Sequence, residues 1–177
     1  YSVAIASALH VIRSCPHPVL ALIEGLCVGG GLEIAAACDV RVCSESSRFG
    51  APINRLGLTM AYDELAPLVQ LVGPGPVLDV LLSGDLLDAE RARELGLVTR
   101  VFSDDAVEEK GLALVDRIAG GAPLVNRWHK RFVNRLLDPR PLTEEEREEA
   151  LESFGTEDYR EGRAAFLEKR PPDFGGR

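Results

Sequence analysis

Three consecutive glycines, Gly29-Gly30-Gly31, stand between a continuous apolar run at residues 19–23 and an alanine-rich segment at residues 34–38. An apolar run of that length predicts a strand buried on both faces. The alanines predict a short helix of small residues packed closely against a neighbour. Glycines at the junction let the backbone approach a ligand with no Cβ in the way. The helix that follows leaves its first N–H groups unpaired, with the positive end of its dipole at the turn. N–H groups so placed stabilise negative charge that develops on an oxygen, and losing one such donor can cost about 3–4 kcal/mol of barrier. Glu33 falls in the first turn of that helix, beside the alanines, where a carboxylate is costly to bury unless it is used or paired. A tight-packing turn with a solvated Glu33 has the same local pattern, and both readings stay open at this point.

Helix and strand patterns alternate around this junction. Residues 1–13 read as a helix (Val3, Ala4, Leu9, Val11, Ile12), closed by Pro16 and Pro18. Residues 39–43 read as a strand, and residues 44–62 as a loop punctuated by Gly50, Pro52 and Gly57. Asp63 is the expected N-cap of a helix reaching about Val72; the run Gly73-Pro74-Gly75-Pro76 breaks it, and residues 77–82 begin another. Asp88 caps a helix to Leu95, Gly96 is its C′ residue, and residues 97–102 return as a strand. The last third is helical: Leu112, Val115 and Ile118 keep helical spacing, as do Trp128, Phe132 and Leu136, and Thr143 with Glu146 makes a capping box. The pattern is α/β, a mixed core followed by a helical region. Because the first helix has no methionine or leading loop before it, the chain is expected to begin within a fold.

Several function classes are disfavoured. Against 28 acidic residues there are 20 basic ones, a net charge of −8, with no basic run of five or more. That argues against nucleic acid or an anionic membrane as partner. No stretch reads as a membrane span or signal peptide, so a cytoplasmic setting (bacterial cytosol or an organelle matrix) is expected. Cys15, Cys27, Cys38 and Cys43 have no C-x-x-C spacing and are expected to be reduced, buried thiols. His10, His17 and His129 show no ligand pattern, so no metal is expected. Ile34 stands where a Gly-x-Gly-x-x-Gly motif needs its last glycine, and no Lys-Ser or Lys-Thr follows the turn. Gly-x-Ser-x-Gly and His-Glu-x-x-His are also absent.

The run from Pro18 to Arg41, with Gly29-Gly30-Gly31-Leu32-Glu33 at its centre, strongly resembles the crotonase, or enoyl-CoA hydratase/isomerase, superfamily. The likeness continues in colinear order through Arg48-Phe49-Gly50-Ala51-Pro52, Leu56-Gly57-Leu58, Leu82-Ser83-Gly84-Asp85, residues 88–98 and residues 161–170. It implies a crotonase-like spiral of ββα units, with a core at residues 1–110 that lacks the N-terminal part of the fold. Residues 111–177 become the helical trimerisation region of a homotrimer or hexamer. The implied substrate is an acyl-CoA thioester; CoA enters as part of the substrate, and no separate cofactor is required.

By the same resemblance, the Gly30 N–H is one donor of an oxyanion hole, with Gly29 beside the substrate. The second donor and most CoA contacts fall in a family stretch that residues 1–177 do not contain. Glu33 takes the place of the first of two carboxylates that hold water and move protons in hydratases. Ile53 occupies the place of the second. Either Glu33 acts alone, favouring isomerisation over hydration, or Asp63 or Glu64 supplies the missing acid. Ile53 would give an apolar pocket floor suited to a fatty or aromatic acyl chain, and Tyr62 would line the pocket, donate a hydrogen bond or pack. Phe166 and Lys169 match a region that approaches the neighbouring subunit's CoA. Trp128 is expected in the core or a subunit interface, His129 exposed, and residues 144–149 on a solvated helix face. The implied function is an enzyme of the enoyl-CoA hydratase/isomerase type. The alternatives are an acyl-CoA decarboxylase or thioester hydrolase using the same oxyanion hole, or an inactive acyl-CoA-binding protein of that fold.

Overall fold

A computed structural model describes residues 2–177; Tyr1 and the side chains of Ser2 and Val3 lie outside the described residues. The chain divides into two units, one made of residues up to Cys15 with Val19–Ala113, the other of Pro16–Pro18 with Leu114–Arg177.

The first unit opens with α1 (Ser2–Ser14) and then places β1 (Leu20–Ile23), β2 (Leu26–Val28) and α2 (Gly30–Ala37) in immediate succession. The next turn of chain repeats the order with β3 (Val40–Ser44), β4 (Arg48–Gly50), a 3-10 turn (Pro52–Leu56), α3 (Tyr62–Val72) and α4 (Pro74–Ser83). The two-residue β5 (Leu87–Asp88), α5 (Ala89–Glu94) and β6 (Arg100–Phe102) close the unit's sheets. Successive strands divide between two three-stranded sheets, ordered β1-β3-β6 and β2-β4-β5. Leu20 pairs with Val40 and Leu26 with Arg48, both in parallel register, so the second ββα coil lies on the first. β4 and β5 pair antiparallel.

The strands at Leu26–Val28 and Arg48–Gly50 and the 3-10 turn replace what the sequence suggested was glycine turn and loop. Three residues are too few to show a period-two pattern. α4 begins at Pro74 rather than at residue 77, because proline at the first helical position needs no N–H partner and already has a helical φ.

Cys43, Phe49 and Ala51 are fully buried, and Leu32, Ala35 and Ala36 of α2 pack in the same core. Burying a side chain such as Phe49 stabilises the fold by about 1.5–3 kcal/mol. The helix is anchored where it ends. The buried Arg41 donates from Nε to the Leu97 carbonyl at 2.8 Å and from Nη1 to the Cys38 carbonyl at 2.5 Å, placing a cation at a helix C-terminus that has orphan carbonyls. Asp39 accepts the Val19 N–H at 2.7 Å, tying that exit back to the start of β1. All four cysteines are free thiols. Cys27 and Cys43 are buried, and burial pushes both thiols up to about 11, whereas Cys15 and Cys38 are only half-buried, contrary to expectation.

α6 (Val107–Ala119) runs across the division. The second unit continues with α7 (Pro123–Leu136), α8 (Glu144–Glu149), a 3-10 turn (Glu152–Gly155) and α9 (Glu157–Glu168). The capping box forms: Thr143 Oγ1 accepts the Glu146 N–H at 3.2 Å, and Glu146 Oε2 accepts the Thr143 N–H at 2.9 Å. Residues 144–149 are more than a solvated face, because Glu146 pairs with Arg135 and Glu149 with Arg131 of α7. The buried Asp158 accepts the N–H groups of Gly175 and Gly176, and the Arg177 carbonyl accepts those of Glu157 and Asp158, fastening the tail to the start of α9. Trp128 is half-buried and His129 exposed. Among the described residues no helix is long and apolar enough to cross a membrane.

Candidate active site

Gly29 sits at φ 52 and ψ −121 as the N-cap of α2, a conformation that glycine adopts without strain and side-chain-bearing residues do not. Its N–H donates to the Gly50 carbonyl at 3.0 Å, and its carbonyl accepts the Glu33 N–H at 3.1 Å. The latter is the first i to i−4 bond of α2. The N–H groups of Gly30, Gly31 and Leu32 therefore lie ahead of it without an acceptor inside the helix. The turn is seated tightly from behind: a Cβ on Gly50 would come 2.6 Å from Leu86 Cδ2 and 3.1 Å from the Asp85 carbonyl. At its front, a Cβ on Gly29 or Gly31 would meet nothing within 4 Å.

Glu33 is 6% exposed, and its Oε2 is buried with no hydrogen-bond partner. Burial first, and the negative charge of Glu64 second, raise its carboxyl above the ordinary carboxylate range. Glu64 is itself 7% exposed, on α3, which packs against α2. Its Oε2 accepts the Ala61 N–H at 2.7 Å, while the Ala61 carbonyl accepts the Glu64 N–H at 3.1 Å. The negative charge of Glu64 on the neighbouring helix, added to burial, favours Glu33 keeping its proton.

α3 corrects several expectations. Its N-cap is Ala61, so Asp63 is not a cap; it is exposed in the first turn, and Glu64 is the buried acid. The signal for Glu64 lies in helical spacing, since Glu64, Pro67 and Leu68 share the buried face. Tyr62 is 91% exposed. Ile53 is half-buried against the core. It is not among the residues that line the apolar cavity formed by Leu32, Ala51, Leu68, Val72, Val77 and Leu97. In the second unit, Phe166 is 83% exposed, and Lys169 caps α9 in the left-handed conformation at φ 56. Among the described residues no group of three or more His, Cys, Asp or Glu is placed to hold a metal ion.

Residues 1–177 match the enoyl-CoA hydratase/isomerase family. The chain is 35% identical over 168 residues to a probable enoyl-CoA hydratase of Bacillus subtilis (strain 168), covering 93% of this chain and 65% of that protein. Among solved structures it is similar to an enoyl-CoA hydratase/carnithine racemase from Magnetospirillum magneticum, with 47% identity and a TM-score of 0.97. That match covers 100% of this chain and 66% of the other. A putative enoyl-CoA hydratase/isomerase family protein from Hyphomonas neptunium matches with 36% identity and a TM-score of 0.92, over 99% of this chain and 68% of the other. The chain belongs to the enoyl-CoA hydratase/isomerase family, and its mixed α/β architecture is the crotonase-like fold. It spans 64–65% of the length of the first curated relatives it matches.

Proposed function

We propose that residues 1–177 carry the proton-transfer site of an enzyme of the hydratase/isomerase type acting on acyl-CoA thioesters. The observation that carries this reading is Glu33, buried with an unpartnered oxygen in the first turn of the helix whose leading N–H groups lack an internal acceptor. In this reading the thioester oxygen lies against the Gly30 N–H, beside Gly29. As charge moves from C2 onto that oxygen, the N–H and the helix N-terminus stabilise it. Glu33 gives a proton to the carbon chain or takes one from it. A carboxyl raised above its ordinary range suits that task, because acid–base catalysis works best with a pKa near the operating pH. CoA arrives as part of the substrate, and the mechanism calls on neither a separate cofactor nor a metal.

The case for isomerisation before hydration assumed that Glu33 stands alone. The buried Glu64 on the helix packed against α2 argues for a second acid, and the names of the relatives favour hydration in the same way, so we take hydration as the leading reaction. Decarboxylation and thioester hydrolysis have no need of a buried acid pair. A protein that only binds would gain nothing from a costly unpaired carboxyl. Assembly as a homotrimer or hexamer belongs to the same proposal. Glu33→Gln should lower turnover of 2-enoyl-CoA or 3-enoyl-CoA at least ~10²-fold while circular dichroism stays unchanged. Turnover at the wild-type rate would remove Glu33 from the mechanism.

A further inference from the structure

We propose that Glu64 is the second carboxyl of the site, supplying from the first turn of α3 the acid–base group that Ile53 cannot. The inference rests on the acyl-CoA reading above and adds the reaction: water adds across the C2–C3 double bond of a 2-enoyl thioester. Three observations converge. Glu64 and Glu33 are both more than nine-tenths buried, on packed helices. The charge of Glu64 is felt at Glu33. The Ala61 N–H fixes the orientation of Glu64 through Oε2 alone, leaving Oε1 outside that bond. Asp63, the other acid in that turn, is exposed.

The protons balance without a further reactant. Water oxygen bonds to C3 as its proton passes to Glu64, and the π electrons of the double bond take the proton of Glu33 at C2. Negative charge rests transiently on the thioester oxygen at the Gly30 N–H. The product carries OH on C3 and H on C2. Glu64 is left protonated and Glu33 ionised, and one proton passing from Glu64 to Glu33 resets the pair. Nothing is oxidised or reduced.

Glu64→Gln keeps an amide oxygen for the Ala61 N–H, so the start of α3 survives the substitution. The test follows kcat against pH for short- to long-chain 2-enoyl-CoA and 3-enoyl-CoA thioesters, in the whole protein with and without this change. Glu64→Gln should cut hydration at least ~10²-fold, far more than it cuts isomerisation. The rise of isomerisation with pH should move to lower pH, because Glu33 loses the neighbouring charge that opposes its ionisation. Hydration at the wild-type rate with an unmoved profile would reduce Glu64 to a helix cap. Wild type that isomerises without hydrating would overturn Glu64 and leave the acyl-CoA reading standing; wild type that does neither would overturn both. A second measurement needs no variant: wild-type hydration should fall at both ends of the pH range, as a pair holding one proton requires, and a profile with a single limb would refute the pair.

Discussion

A carboxylate in the first turn of a helix is ordinarily favourable, because it meets the positive end of the dipole. Glu33 occupies that turn in α2, yet burial and the charge of Glu64 outweigh the dipole and raise its pKa. The stability consequence has a definite sign. An unfolded glutamate loses its proton near pH ~4.3, whereas folded Glu33 holds its proton to higher pH. Between those two values the folded state binds more protons, so stability falls as pH rises through the window and stays lower above it. Glu33→Gln carries no charge to bury. Thermal melts should show this variant more stable than wild type at pH ~8, with the gap closing as the pH approaches ~4, where an unfolded carboxyl is also largely protonated. Equal melting temperatures at the higher pH would mean that Glu33 is not under electrostatic strain. The variant predicted to lose activity is thus the one predicted to gain stability.

At the scale of elements, the legible parts were those marked by residues within three or four positions of one another. Asp88 caps α5 by accepting the Arg91 N–H at 2.7 Å, and the box formed by Thr143 and Glu146 closes as their spacing implies. β1 and β3 declare themselves as apolar or alternating runs. β2, β4 and β5, each of two or three residues, owe their existence to partners in other coils of the spiral, and no local pattern announces such pairings. Gly50 looked like loop punctuation, but it is the acceptor for Gly29 and leaves no room for a Cβ beside Leu86. The start of α3 departs from the sequence expectation for a different reason. Asp63 is a better intrinsic cap than Ala61, but packing of Glu64, Pro67 and Leu68 sets the register, and the Glu64 side chain then satisfies the Ala61 N–H. Of the proposed site, the half on α2 (Gly29, Gly30, Glu33) follows from its motif. The sequence offers Asp63 and Glu64 as two possible acids on α3, and the buried face of α3 singles out Glu64.

At the scale of the whole molecule, the second unit leaves large apolar side chains in solvent: Val133 and Leu136 on α7, Leu151 and Phe154 around the second 3-10 turn, and Phe166 and Leu167 on α9. Trp128 and Phe132 are half-buried. Large apolar surface of this kind marks an interaction face, and light scattering at micromolar concentration should report a homotrimer or hexamer; a monomer would contradict the assembly. The acyl-CoA chemistry proposed for the whole protein turns on whether Glu33 delivers a solvent-derived proton to C2 of a thioester. Turnover of 2-enoyl-CoA in D2O, followed by mass spectrometry and NMR of the product, measures this directly. Wild type should place one deuterium on C2 of a 3-hydroxyacyl-CoA, and Glu33→Gln should form that product at least ~10²-fold more slowly. Turnover that leaves C2 without deuterium, or a variant that labels it as fast as wild type, would contradict the role of Glu33.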